Sequence, residues 1–592
     1  MNKKHKLLTL ILFFTTLAYS SVVSAQNMDE LWRNDYDNKG GEASTEKGRL
    51  FRDGNYAMFI HWGLYSKLAN KWNDKTYYGI GEWMMNEGMA SMPAEDYIAI
   101  AKDFNPVNFN AKEVVQLAKD AGMKYIIITS KHHDGFAMYD SKVSDFNIVK
   151  ATPYKKDPMK ELAEACKEAG LGFGFYYSHN QDWTTPYGTK GKKLKNVDLT
   201  TFDNYVKYKC IPQVEEITKN YGPIELVWFD TPGNMSKAHT QELVDVVRRN
   251  QPNAYVSGRI GNGHGDYNTL GDMEIPEQNI DGIWEAVDVT NDAWGYAWYD
   301  ENWKTPKDVL TRLITTIARG GTYMLNIGPL DDGSLPIPAV NSLKSSGEWI
   351  KSYPEVIYAS DPSPWQHALP WGDAVVNKGK IYLCLYDWPT TGKLYLPGLE
   401  SKINSAKLLG KNTQNISFNK EGTSTVFNLP CQAPDKFISV IELSLDGDIK
   451  VNTTHAIDPQ IDTNLPTLFA KVENGRKYRK GWMEKFGEWK HITQIDKWSD
   501  QTEAYWEVDV LVPGYYLVSL EYTGEGRLVW NVSNDSGASV QNQQNSSNIY
   551  TYHPMGWMKF DRVGKQKITV KMIEGNFDKA SLSNIKFTPI EF

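Results

Sequence analysis

Residues 124–140 read KYIIITSKHHDGFAMYD, an apolar run that passes directly into two adjacent histidines and an aspartate. Tyr125, Ile126, Ile127 and Ile128 do not alternate with polar residues. An unbroken run of this kind predicts a strand buried on both faces, as in a parallel sheet covered by helices. Thr129, Ser130 and Lys131 then turn polar, so His132, His133 and Asp134 fall just past the strand's C-terminal end. In an α/β barrel that end is the rim of the active site.

The pattern repeats on both sides. NYAMFIHWGLY, from Asn55, reads as a strand ending at His61 and Trp62. NAKEVVQLAKDAG, from Asn110, has helical apolar spacing and feeds the strand quoted above. DPMKELAEACKEAG opens on Asp157 as an N-cap with Pro158 in the first turn and closes on Gly170. It delivers the strand LGFGFYYS, which ends at Tyr177, Ser178 and His179. A helical stretch interrupted at Pro212 leads to IELVWFDTPG, and further helix-to-strand units lead to NAYVSGRIG and TYMLNIGPL. Repeated units of this type imply right-handed crossovers and a parallel sheet. Polar groups at many successive strand ends favour a (β/α)8-like barrel over an open doubly wound sheet.

The 592 residues exceed what one core organises. After Trp349 the helical spacing gives way to strand-and-turn signals. The expected organisation is a signal peptide at 1–25, a catalytic barrel at 26–352, a β-sandwich at 353–448, a linker at 449–464 and an accessory β-sandwich at 465–592. Trp530 and Trp557 in the last module are candidates for a sugar-stacking surface. Lys3, Lys4 and Lys6 precede the apolar run Leu7–Leu17, and Val23-Ser24-Ala25 offers a cleavage site. An exported, periplasmic or extracellular protein with no further transmembrane segment is therefore expected. Cys166, Cys210, Cys384 and Cys431 are far apart and read as buried free thiols. A net charge of −8 without basic runs argues against a nucleic-acid partner, and the 20 tryptophans and 33 tyrosines suit carbohydrate surfaces. Oligomeric state is not legible.

Asp230 in LVWFD is a carboxylate at the end of an apolar strand, where a fixed backbone can aim it at a substrate. Cleaving a glycosidic bond needs a second carboxyl group. GDYNTLGDMEIPEQNIDGIWEAV offers Asp266, Asp272, Glu274, Glu277 and Glu285. Glu285 follows Ile283 and Trp284, so burial would raise its pKa, while Asp272 lies in a Gly- and acid-rich loop. Consecutive side chains in an extended segment diverge, so His132 and His133 do not read as a metal site. No metal or cofactor is expected for catalysis, although the acidic linker or last module leaves room for a structural calcium. Imidazoles and indoles, with Glu82, Trp83 and Arg259, form an inventory for fixing the hydroxyls of a sugar.

FIHWGLYS, EWMMN, YIIITSKHHDGFAMYDSKVSDFNI, FGFYYSHNQDW, LVWFD, WEAVDVTNDAWGY and YMLNIGP, in this order, resemble the glycoside hydrolase family 29 α-L-fucosidases over about residues 28–445. The resemblance implies retaining exo-cleavage of terminal α-L-fucose from fucosylated glycans. It implies Asp230 as nucleophile and His61, His132, His133, Glu82, Trp83, Tyr177, Arg259 and Trp294 as substrate-binding residues. For the acid/base it points first to Asp272, four residues before Pro276, then to Glu285 and Glu274. The exported chain with an accessory β-module resembles enzymes of Gram-negative gut bacteria. The alternatives are a retaining glycosidase for a galactose-configured sugar and an inactive sugar-binding protein.

Overall fold

The computed structural model describes residues 54–187, 193–194, 197–482 and 489–590; the signal-peptide expectation lies outside the described residues. Eight strands form one sheet: β1 (Tyr56–Ile60), β2 (Tyr125–Lys131), β3 (Gly172–Ser178), β4 (Leu226–Asp230), β5 (Tyr255–Val256), β6 (Asn268–Thr269), β7 (Trp284–Val289) and β8 (Thr322–Ile327). Their hydrogen-bonded order is β6-β7-β8-β1-β2-β3-β4-β5, and every pairing is parallel. This is chain order cut once, between β5 and β6, the cyclic order of a (β/α)8 barrel.

The sheet curls. Phe59 on β1 and Trp228 on β4 stand three strands apart, ~14 Å in a flat sheet, yet their ring centroids are 5.2 Å apart. The cut is bridged by Asp266, whose N–H donates to the Val256 carbonyl at 2.8 Å while its carboxylate accepts from Val256 N–H at 2.7 Å.

The non-alternating strand divides its residues as a doubly covered strand must. Tyr125 and Ile127 join Phe59, Leu226 and Trp228 in the inner cluster. Ile126 and Ile128 pack outward with Val114 and Leu117 of α1 (Ala111–Asp120) and Leu162 of α2 (Pro158–Ala169). Asp157 caps α2 by accepting from Lys160 N–H at 3.1 Å, and Gly170 closes it at φ 71°, a conformation that costs glycine nothing. The interruption expected at Pro212 is milder than a break. Residues Val206–Cys210 form a π-helical turn, and Pro212 then sits in the first turn of α3 (Ile211–Lys219), where its missing N–H costs little.

Beyond the barrel, a five-stranded and a three-stranded antiparallel sheet enclose a core that includes Trp371, Leu383, Phe427 and Leu443. Two six-stranded sheets then pack around Trp506, Trp530 and Phe587. The stretch read as a linker is not one throughout: His455–Ile457 pairs with Glu503–Val510, and Thr463–Pro466 pairs with Ser581–Pro589. Trp530 is fully buried in this core and unavailable as a platform, whereas Trp557 is exposed. Cys166, Cys210 and Cys384 are buried free thiols; Cys431, expected buried, is exposed. No helix among the described residues is long and apolar enough to cross a membrane.

Candidate active site

The C-terminal ends of the barrel strands surround a pocket of about 800 Å³, counted to its open mouth. It is lined by His61, Glu82, Trp83, His132, His133, Asp230, Arg259, Asp272 and Trp294, all proposed from the sequence. Phe59, Asn180, Gln181, Trp228, Thr231 and Trp489 also line it.

Asp230 ends β4 and is almost fully buried. One carboxylate oxygen accepts from Tyr176 Oη at 2.9 Å, and the other accepts from Thr231 N–H at 2.9 Å and lies 3.3 Å from Arg259 Nη1. His133 Nε2 is 3.6 Å away. Burial pushes this carboxyl upward, but the Arg259 charge, His133 and the bond from Tyr176 outweigh it and hold the group below the usual aspartate range. Asp230 is therefore an ionised carboxylate aimed into the pocket.

The histidine pair corrects one expectation. The ladder between β2 and β3 shifts register between Thr129 and Lys131, so the chain leaves extended geometry before His132. Both imidazoles then face the pocket with centroids 4.2 Å apart instead of diverging. His132 stacks on Tyr176 at 5.1 Å and 2°, and its Nδ1 is buried without a hydrogen-bond partner. His133 Nδ1 pairs with Ser178 Oγ at 2.7 Å, and His61 Nδ1 with Asn326 Oδ1 at 2.8 Å. Burial lowers His61 to about 3, His133 to about 4 and His132 well below its ordinary value. All three are neutral at neutral pH, so each offers one N–H and one lone pair. Ligand atoms of His132, His133 and Asp230 lie within 4.8 Å of one another, an arrangement that could hold a metal ion.

Glu82 sits in a 3₁₀ turn, accepts from Gly295 N–H at 3.2 Å and is raised to about 7 by burial. Trp83 meets His133 edge-on at 5.5 Å, and Trp294 lies 5.0 Å from His61. Asn326 connects these walls: it holds His61 and donates to the Trp294 carbonyl at 2.7 Å.

Tyr177, Glu285 and Glu274, all named from the sequence, do not line the pocket. Side chains alternate along β3, so Tyr177 points to the helix layer and donates to Gln213 Oε1 at 2.8 Å, while its neighbour Tyr176 reaches Asp230. Glu285 lies on β7 beneath the pocket floor, fully buried, accepting from Trp228 Nε1 at 2.7 Å. Burial raises it to about 7, as the sequence suggests, but Glu285 does not line the pocket, whereas its bonded partner Trp228 does.

The remaining acids separate by their partners. Asp266 is tied to Arg248 at 2.5 Å. Glu274 is held by Arg479 and by His491 at 3.0 Å, both from the last module, and despite its burial these partners lower its pKa. Asp272 lines the pocket and accepts from Arg259 Nη2 at 2.5 Å. Burial raises its pKa against the pull of Arg259, with the Asp230 charge adding to the rise. One guanidinium thus touches two carboxyls whose proton affinities are pushed apart.

A parallel α/β barrel with an ionised carboxylate at one strand end and a second carboxyl of raised pKa beside it, walled by neutral imidazoles and indoles, has the make-up of a glycoside hydrolase. The α-L-fucosidase family model matches residues 24–355, more than half of the chain, and the chain belongs to that family. It is an enzyme, a retaining glycoside hydrolase. The chain is 28% identical to the tissue α-L-fucosidase of Rattus norvegicus over 374 residues, 59% of this chain and 78% of that one. It is 26% identical to the plasma α-L-fucosidase of Homo sapiens over 425 residues, 64% of this chain and 87% of that one. Among solved structures, an α-L-fucosidase from Vibrio sp. strain EJY3 superposes with a TM-score of 0.74 at 27% identity, covering 92% of this chain and 98% of that one. A GH29 α-L-fucosidase from Bacteroides thetaiotaomicron, solved as a trapped covalent intermediate with 2-fluoro-fucosyl fluoride, superposes at 0.63 and 26% identity, covering 69% and 98%.

Proposed function

We propose that this chain is an exported exo-α-L-fucosidase in which Asp230 is the nucleophile and Asp272 the acid/base. The observation that carries the assignment is the Asp230–Arg259–Asp272 bridge. A single guanidinium in contact with both groups favours the ~5–5.5 Å spacing of retaining enzymes over the wider gap that admits water in inverting ones. Asp230 attacks the anomeric carbon as Asp272 protonates the leaving oxygen, giving a covalent β-L-fucosyl-enzyme. Asp272, now a base, takes a proton from the water that releases α-L-fucose.

Phe59 and Trp228 of the barrel's inner cluster line the pocket, an apolar surface that suits one terminal sugar with an apolar methyl at C6. His61, His132, His133 and Glu82 surround it with donors and acceptors for the ring hydroxyls. Fucosylated glycans or glycoconjugates are the substrates that fit. The N-terminal basic-apolar-small sequence supports export to the periplasm or beyond.

Catalysis on this reading uses no metal. Arg259 is buried with its charge 3.3 Å from the Asp230 oxygen, and that charge opposes a cation held by His132, His133 and Asp230. Release of L-fucose from an aryl α-L-fucoside is expected to continue at its full rate after exhaustive chelation, with no turnover of the matching aryl galactosides. Loss of turnover in chelator that one divalent ion restores would overturn the metal-free reading. Faster turnover of a galactoside would overturn the sugar assignment.

A further inference from the structure

The loop that carries Asp272 is gripped from two sides. On the barrel side, Met273 donates its N–H to the Val287 carbonyl at 2.9 Å, and its own carbonyl accepts from Arg312 Nη2 at 2.8 Å. Met273 has φ 60°, a left-handed conformation that a non-glycine residue holds only when its surroundings impose it. The other side belongs to the last β-module. Strands β9 (Arg476–Trp482) and β10 (Lys490–Asp496) bring Arg479 and His491 onto the two oxygens of Glu274. The oxygen facing His491 also accepts from Gly271 N–H at 3.1 Å, closing the turn around Asp272. Gly271 itself lies against the backbone of Trp489, where an added Cβ would stand 1.8 Å from the carbonyl oxygen. The Trp489 indole reaches the pocket and meets Trp83 at 5.5 Å.

We infer that the last β-module is a working part of the active site: Arg479 and His491 are positioning residues that hold the 271–274 turn through Glu274, so that Asp272 stands at the leaving oxygen. This rests on the assignment of Asp272 as acid/base. Neither residue touches substrate on this view. Both act through Glu274, which is nearly buried and accepts charge-assisted bonds from a side of the molecule remote from the barrel core. Asp272 has a side chain one carbon shorter than glutamate, so small displacements of its backbone translate directly into a poorly aligned proton.

The test is a leaving-group series of aryl α-L-fucosides, from dinitrophenyl to unsubstituted phenyl, on R479A, H491A, R479K and D272A of the full chain. R479A and H491A are expected to lower kcat/KM for the phenyl substrate by roughly 10–100-fold, the cost of misplacing a reacting group by about an ångström. They leave the dinitrophenyl substrate within about threefold of wild type, because it needs little protonation. R479K, which keeps the charge, recovers part of the loss. Gly271→Ala sets a Cβ against the Trp489 carbonyl at the same module contact and is expected to give the same slope. A loss that is equal across the series, or no loss, overturns the inference, since a merely structural contact does not select for leaving-group basicity. Leaving-group dependence in D272A with flat profiles in R479A and H491A overturns the inference alone. A flat D272A profile overturns the acid assignment and the inference with it.

Discussion

Asp230→Ala abolishes hydrolysis of α-L-fucosides irrespective of leaving group, with kcat falling by about 10⁴–10⁶-fold, the scale of removing a nucleophile. The prediction follows from the side chain's surroundings. Tyr176, Thr231 and Arg259 fix both carboxylate oxygens and keep the group charged, so no neighbouring group replaces it. His133 is the nearest candidate, but its Nδ1 is committed to Ser178 and its other nitrogen is 3.6 Å from the vacated carboxylate. Azide enters the space left by the truncated side chain and attacks an activated α-L-fucoside from the face Asp230 uses. The expected rescue product is β-L-fucosyl azide. A variant that retains turnover of a dinitrophenyl fucoside within tenfold of wild type, a factor of ~1.4 kcal/mol in barrier, would remove Asp230 from the mechanism.

Asp272→Ala separates the two steps. Fucosylation of a poor leaving group loses its proton donor and slows by about 10²–10⁴-fold, while a dinitrophenyl fucoside still loads the enzyme and stalls at the second step. Azide, which needs no base, then releases α-L-fucosyl azide, the anomer opposite to that from the Asp230 variant. Glu285→Gln is the companion measurement. Its amide oxygen keeps the bond from Trp228 Nε1, and a residue beneath the floor contributes no proton to the leaving group. Turnover of the phenyl fucoside by E285Q is expected to stay within tenfold of wild type, a loss of under ~1.4 kcal/mol. If E285Q instead shows the leaving-group slope and D272A does not, the acid lies on β7.

The barrel is legible wherever a helix precedes its strand. The apolar runs of β2, β3, β4 and β8 are bounded by caps, prolines and glycines that state their own ends. The strands β6 and β7 are not marked in this way. Between Val256 and Trp284 there is no α-helix, only a 3₁₀ turn at Gly258–Ile260, so the helix-to-strand rhythm goes silent over the segment that holds Asp272 and Glu274 and ends just before Glu285. Alternation along β3 was available in FGFYYS and distinguishes Tyr176 from Tyr177, but only once the inward position is fixed by a neighbour such as Gly174, which packs against Leu226. The histidine pair misleads for a different reason. Its convergence depends on a local register shift, and a bulge leaves little trace in composition. The contributions of Arg479, Trp489 and His491 arise more than 200 positions from Glu274, and no periodicity in either segment announces the contact.

The central claim is double displacement through Asp230, and the anomer first released by the wild-type enzyme tests it most directly. Proton NMR of hydrolysis of an aryl α-L-fucoside, recorded before mutarotation redistributes the product, is expected to show α-L-fucose appearing first and the β anomer growing only later. β-L-fucose as the first product would mean a single displacement by water and would contradict the account.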